Sequence, residues 1–500
     1  MKSLHHRVRR NPSPLTTDMT PRNHSPSHRL TASHHSTLPT WRFVTLTVFL
    51  GLPVAGVADS ISLPNVPFDP QSATAPNAGS VLIAPFRYIP PAGAPKNETP
   101  GMPVPTRTPE QQRIVDLNAA GDYRTVGTEG LALIAKEKPD DELQLIVANS
   151  LAWTGRLKEA IPTYQGLTQG KLVNEANVGL ANVYRWRGRD DQAAPLYRAV
   201  LANIPDNADA LEGLELATRE LSPRTTLSFG GASDSSDIQR RSATINHRWR
   251  DKSGANIMEI ETSGVRDSLP NIQARQQDVT LRYEGQTLAL KPSAELSMPT
   301  SGDRTLYGSV RVKLAEDQVS LSAGRVNWGR MATNPNALAS RLAASHVGLT
   351  AVHAFSFGTL RARVDHFDIS DNNRILSGSL HVASTWRPIG NNFKPFVGVQ
   401  TRDAKFSSPS YWSPEQGSGT LYAGLLGEWG SADWNFYASA QSGTGLYGDA
   451  GTSWSVSGGG KRWLSNDVAL SMNFWSMASW RDNAAYRAQS ATVSLEKLWR

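Results

Sequence analysis

A chain of 500 residues is long enough for several domains, and with 39% hydrophobic and 19% charged residues it is not the composition of a disordered polymer. A mean hydropathy of -0.38 excludes a bundle of many membrane helices, but not a membrane barrel, where only every second strand residue must be apolar. The absence of cysteine excludes disulfide frameworks and thiolate metal sites, and the net charge of +7, shared with a His- and Arg-bearing leader, gives no pointer to nucleic acid.

Met1 to Trp41 is a long leader rich in His, Arg, Ser and Pro, with Met19 as an alternative start. The apolar run Phe43 to Ala58 follows Arg42 and contains Pro53. At about sixteen residues it is short for a spanning helix. Its small residues Gly56-Val57-Ala58 suit a signal-peptidase site, so residues 1–58 read as leader and signal peptide, cut after Ala58. An uncleaved anchor is the alternative. Residues 59–109 hold Pro90, Pro91, Pro95, Pro100, Pro103 and Pro105, a pattern that excludes a helix interior and predicts an extended linker.

Residues 110–221 change character to helical and they repeat. Trp153-Thr154-Gly155-Arg156 returns as Trp186-Arg187-Gly188-Arg189, a shift of 33 residues. At the same shift Ala160 returns as Ala193 and Tyr164 as Tyr197, while Pro139 and Pro205, each before an Asp, are 66 apart. Glycine breaks the chain at the turn, small alanine lets two helices approach, and the aromatics fill the gap between neighbours. Pro-Asp ends one unit and begins the next. The first unit is degenerate, with Val126 where alanine is expected, and the middle boundary has Leu172 in place of proline. The pattern resembles tetratricopeptide (TPR) repeats. Such a short array serves either as a spacer or as a peptide-binding scaffold.

From residue 222 to 500 the period falls to two. Trp434, Phe436 and Ala438 alternate with Asn435, Tyr437 and Ser439, and Leu470, Met472 and Phe474 alternate with Ser471 and Asn473. Successive strand side chains point to opposite faces, so one face is greasy and the other wet. About sixteen such segments occur, an even number that suits a closed sheet with lipid outside and water inside. Among them are Val319 to Trp328 and Leu380 to Trp386. The expected fold is therefore α+β and multidomain: a short α-helical solenoid, then a transmembrane antiparallel barrel of about 16 strands.

No catalytic constellation stands out, and neither a metal nor a cofactor is expected. Asp365-His366-Phe367-Asp368 puts a histidine between carboxylates, with the ring expected to face away from both. Gly458-Gly459-Gly460-Lys461 lacks phosphate-loop spacing and reads as a strand end or a point of close packing. The wet faces carry more information. Arg311 and Lys313 share one with Tyr307, Glu259 shares one with Glu261, and Arg361 and Arg363 share one with Asp365. Arg282 and Glu284 form another, and Tyr422, Tyr437 and Trp475 also fall on the inner side. Inner aromatics can stack on sugar rings, while inner charges either line a passage or simply fill and stiffen the barrel.

A signal peptide, helical repeats and a terminal barrel together resemble outer-membrane exporters of poly-β-1,6-N-acetylglucosamine and of bacterial cellulose. Phage-adsorption outer-membrane proteins share the plan. Tyr411-Trp412-Ser413-Pro414 and the paired Trp-x-Gly-Arg units are similar to segments of the exporters. The resemblance implies a non-enzymatic porin passing exopolysaccharide from periplasm to surface, in contact with outer-membrane lipid. It also implies repeats in the periplasm docking a polymer-modifying or synthase-side protein, or the polymer. Barrels of this class usually end on an aromatic, and the trailing Arg500 after Trp499 departs from that. The alternative is a surface receptor, with Asn334 to Ser345 and Ser407 to Thr420 as its exposed working loops.

Overall fold

The computed structural model describes residues 107–500, except 138, 289, 303, 315–317, 356–357, 385, 387–391, 432 and 482–483. The leader, the signal segment with Ala58, and the linker to residue 106 lie outside the described residues.

Seven helices come first among the described residues. They are α1 (Pro109–Ala119), α2 (Tyr123–Lys136), α3 (Asp141–Trp153), α4 (Leu157–Gln165), α5 (Val173–Trp186), α6 (Asp190–Asn203) and α7 (Ala208–Leu221). Thr108, Asp122, Asp140 and Asn207 cap the starts of α1, α2, α3 and α7 with side-chain oxygens. After Pro205 the cap falls on Asn207 and not on the adjacent Asp206. Gly121, Gly155 and Gly188 hold φ of +78°, +81° and +70°, left-handed turns that join α1 to α2, α3 to α4 and α5 to α6.

The repeat extends to atomic contacts. The Tyr164 hydroxyl donates to Asn149 Oδ1 at 2.6 Å, and the Tyr197 hydroxyl donates to Asn182 Oδ1 at 2.6 Å. Ala160 and Ala193, one helical turn before these tyrosines, are fully buried, and so is Val126 at the equivalent position of the first unit. Trp153 and Trp186 are half-buried, Trp153 edge-on to Tyr123 at 4.9 Å.

The remaining chain forms sixteen strands among the described residues. In order they are β1 (Arg224–Asp234), β2 (Gln239–Arg250), β3 (Ile257–Leu269), β4 (Ile272–Glu284) and β5 (Ser293–Pro299). Next come β6 (Tyr307–Leu314), β7 (Val319–Val326), β8 (Ala344–Ala354), β9 (Gly358–Ile369), β10 (Arg374–Ser384) and β11 (Phe393–Ala404). The last are β12 (Ser418–Gly430), β13 (Trp434–Gly448), β14 (Ser453–Trp463), β15 (Val468–Arg481) and β16 (Ala484–Leu498). Each pairs antiparallel with its sequence neighbours, and β1 closes on β16 with Arg224 opposite Leu498. The fold is a closed antiparallel barrel preceded by helices.

Exposed Phe229, Ile245, Leu281, Val347, Val364, Val397, Phe436, Met472 and Val493 define the outer face. Polar and charged residues alternate with them and face the bore. An even strand number brings both barrel ends to the side that carries α7. There Arg224 donates to the Arg219 carbonyl at 2.8 Å, Arg250 donates to the Glu220 carbonyl at 3.2 Å, and Arg500 donates to Glu215 at 2.6 Å.

Two segments depart from the expected strands. Val319 to Trp328 does not run as one strand, because Asn327 caps α8 (Trp328–Met331) and turns the chain inward. Asn334 then caps α9 (Pro335–Ala339). The segment ending at Trp386 stops as a strand at Ser384.

Candidate functional site

The bore gathers the charged candidates unevenly. Arg282 on β4 is held by three carboxylates: Glu259 at 2.5 Å and Glu261 at 2.8 Å from β3, and Glu295 at 2.7 Å from β5. Arg240 on β2 forms a two-point pair with buried Asp267 at 2.7 and 2.6 Å. This wall is a network of paired charge, which ties β2 to β5 together on the bore side.

A second wall is predominantly cationic. Arg311 and Lys313 on β6 and Arg361 and Arg363 on β9 face inward, opposite small or hydroxyl residues such as Ser322 and Thr350. Asp365 answers them, bonded to Arg363 and to His346 at 2.8 Å. The histidine singled out above sits elsewhere. His366 points outward and reaches Asp368 at 3.2 Å, which corrects the expectation that it faces away from both carboxylates. Positions two apart share a face, so only Asp365 lies opposite.

Three of the four aromatic candidates gather on a third wall. Tyr422 lies on β12, Tyr437 on β13 and Trp475 on β15, while buried Tyr307 is on β6, half the circumference away. Tyr437 donates to Asn473 at 3.1 Å, and Tyr422 lies within 3.3 Å of His381 Nδ1. Between these rings run Ser439, Gln441, Ser453, Ser455 and Ser457, all buried and inward. The hydroxyls of Ser453, Ser455 and Ser457 and both amide atoms of Gln441 have no protein partner among the described residues. Gly459 faces inward beside them, where a Cβ would lie 2.2 Å from the Asn473 amide oxygen, so the glycine run is a point of close packing.

The end opposite the helices is narrowed by two inward connections that strand periodicity does not reveal. The segment from β7 to β8 carries α8 and α9 past β5 and β6 to the wall formed by β2, β3 and β4. Arg330 pairs there with Asp278, donates to Ser263 at 2.7 Å, and accepts from Arg240 at its carbonyl at 2.9 Å. Leu338 packs with Val265 and Ala274.

The connection from β11 to β12 folds in to meet the first. Tyr411 lies edge-on to Trp328 at 5.5 Å and donates to Asp371 at 2.7 Å. Burial and the Asp371 carboxylate push its phenol pKa up. Trp412 lies beneath the guanidinium groups of Arg402 and Arg481, at 5.4 and 4.5 Å. Much of Asn334 to Ser345 and Ser407 to Thr420 is therefore packed inside the mouth, with Ala337, Leu338, Tyr411 and Ser413 buried. The sequence signal was Asn334-Pro335, a helix cap followed by proline at the first turn.

No protein-family model matches the chain, and no curated protein matches it. Similar solved structures include a bacterial polysaccharide outer membrane secretin, 9% identical over 56% of this chain and 99% of that one, with a TM-score of 0.45. Another is OccK11 (OpdR) of Pseudomonas aeruginosa, 11% identical over 56% of this chain and 96% of that one, at 0.33. CdiB of Acinetobacter baumannii is 11% identical over 55% of this chain and 60% of that one, at 0.34. Likeness at this level says nothing about cargo.

Proposed function

We propose that the chain is an outer-membrane porin that passes an exopolysaccharide from the periplasm to the cell surface. The observation that carries this reading is a closed sixteen-strand barrel, apolar outside and polar within, whose β12–β15 wall sets Tyr422, Tyr437 and Trp475 among buried hydroxyl and amide groups that lack protein partners among the described residues. Closed barrels and helices are the structures that satisfy all backbone polar groups in lipid. Aromatic faces with polar neighbours suit a hydroxyl-rich chain, whose own hydroxyls would satisfy the unpaired atoms. The helices, read as TPR units, would lie in the periplasm and dock a partner protein or gather polymer. No bond chemistry is assigned to the bore, and polymerisation elsewhere supplies the drive.

Single-channel conductance of the refolded protein in a planar bilayer tests the reading while neutral and charged oligosaccharides are titrated. Blockade by one glycan class at concentrations that leave another inert is expected. A steady conductance indifferent to every oligosaccharide would sink polysaccharide passage while leaving a channel. The inward packing of Trp328, Tyr411 and Trp412 favours a second reading, a surface receptor of the phage-adsorption type. A folded barrel that conducts nothing would favour that one.

A further inference from the structure

The outer face of β2, β3 and β4 carries a row of positive charge that the bore does not explain. Arg241 on β2 stands directly opposite Arg266 on β3, and Arg266 stands directly opposite Arg275 on β4. All three are exposed and share the face of Ile245, Ile260 and Leu281. Neighbouring strands are about 4.8 Å apart, so the three α-carbons fall within roughly 10 Å. No hydrogen bond or ion pair joins any of the three side chains to another described residue. No Asp or Glu takes an outward position on β1 to β5. One residue away on the inward face, Arg240 is matched to Asp267, so the same strands do provide counter-charge where the bore needs it.

Like charges directly opposite on a sheet destabilise it. Arginine on a lipid-facing wall is tolerated only near the interface, where its cost falls towards zero. The row stands there, four residues beyond the Ile245–Val279 level, at the barrel end remote from the helices. Gln239, Ser268 and Gln273 join Arg241 and Arg266 around a polar depression of ≈ 120 Å³. Guanidinium forks bind phosphate at two points, and neutral donors beside them suit sugar hydroxyls.

We propose that this row binds the phosphate groups of an anionic glycolipid in the outer leaflet. The assignment rests on the outer-membrane placement proposed above, which sets this end of the barrel towards the cell surface.

The test uses the full chain reconstituted in nanodiscs that contain a phosphorylated glycolipid, the same glycolipid with its phosphates removed, or zwitterionic phospholipid alone. Lipid retained after detergent exchange is counted by native mass spectrometry. The wild type is expected to retain the phosphorylated form at least ~10-fold over the dephosphorylated form, as charge-assisted hydrogen bonds require. The R241Q/R266Q/R275Q variant is expected to lose that preference, while R462Q, at an outward arginine of the opposite end, keeps it. Equal retention of the two glycolipids by the wild type overturns the proposal even where the triple variant fails to fold. So does complete displacement of the lipid by millimolar inorganic phosphate, which would make the row a plain anion site. Insertion without phosphate dependence sinks this assignment alone. A chain that enters no bilayer sinks the membrane placement, and the lipid site with it.

Discussion

Gly179 and Gly213 decide how closely successive helical units stack. A Cβ built on Gly179 would lie 2.3 Å from the Tyr164 ring, and one on Gly213 would lie 2.3 Å from the Tyr197 ring. Neither ring can retreat, because each is almost fully buried and its hydroxyl is tied to an asparagine. Gly179→Ala is therefore expected to cost ~1–3 kcal/mol, the range for overpacking a tight core. Loss of the helical circular-dichroism signal should move to lower temperature while the strand signal stays in place. Coincident melting of variant and wild type would rule the contact out. The aromatic half of this contact was visible in the sequence as Tyr164 and Tyr197. The glycine half was not, because a lone glycine inside a helix also reads as a mere weakness.

At the scale of elements, the connection from β7 to β8 works as a strut across the mouth. Its hold on β2 to β4 centres on Arg330, which meets Asp278, Ser263 and Arg240 at once. Arg330→Ala leaves the buried Asp278 carboxylate without its cation, a loss of order 3–5 kcal/mol locally when a buried pair is broken from one side. The strut should leave β3 and β4, and single-channel conductance should rise and grow noisier. An unchanged current would show that α8 and α9 do not limit the bore. The period of two exposed the barrel strands, since one buried and one lipid-suited face force strict alternation. It misled at Trp328, which continues the alternation of Val326 and yet begins a helix, because the Asn327 side chain accepts from the Arg330 N–H and starts a helical turn there. The apolar residues of the mouth segments, Trp328, Leu338 and Tyr411, are too sparse to show any period. Their burial depends on walls supplied by distant strands.

For the whole molecule, the order of parts was legible because each has its own period, 33 residues in the solenoid and two in the barrel. The partners inside the bore were not. Arg282 draws its three carboxylates from the two strands beside it, pairings set by hairpin register, and Arg240 meets a carbonyl 90 residues away on the infolded β7–β8 connection. The join of solenoid to barrel belongs to the same class and makes a pH-dependent prediction. Asp190, at the start of α6, is buried at that join, 3.8 Å from Arg250. Burial and the nearby Glu220 charge outweigh the pull of Arg250 and raise its carboxyl from 3.8 to about 7. An acid raised on folding keeps its proton in the native state after the unfolded chain has released it. Native protein then binds the extra proton between about pH 4 and 7, so stability falls as pH climbs through that window and levels off above it. Asp190→Asn cannot titrate and should remove this part of the slope. Helical melting temperatures measured from pH 4 to 8 should show the variant gaining steadily on the wild type up to about pH 7, then holding its lead. Parallel profiles would mean that Asp190 stays ionised beside Arg250, and that the join is held by an ordinary ion pair.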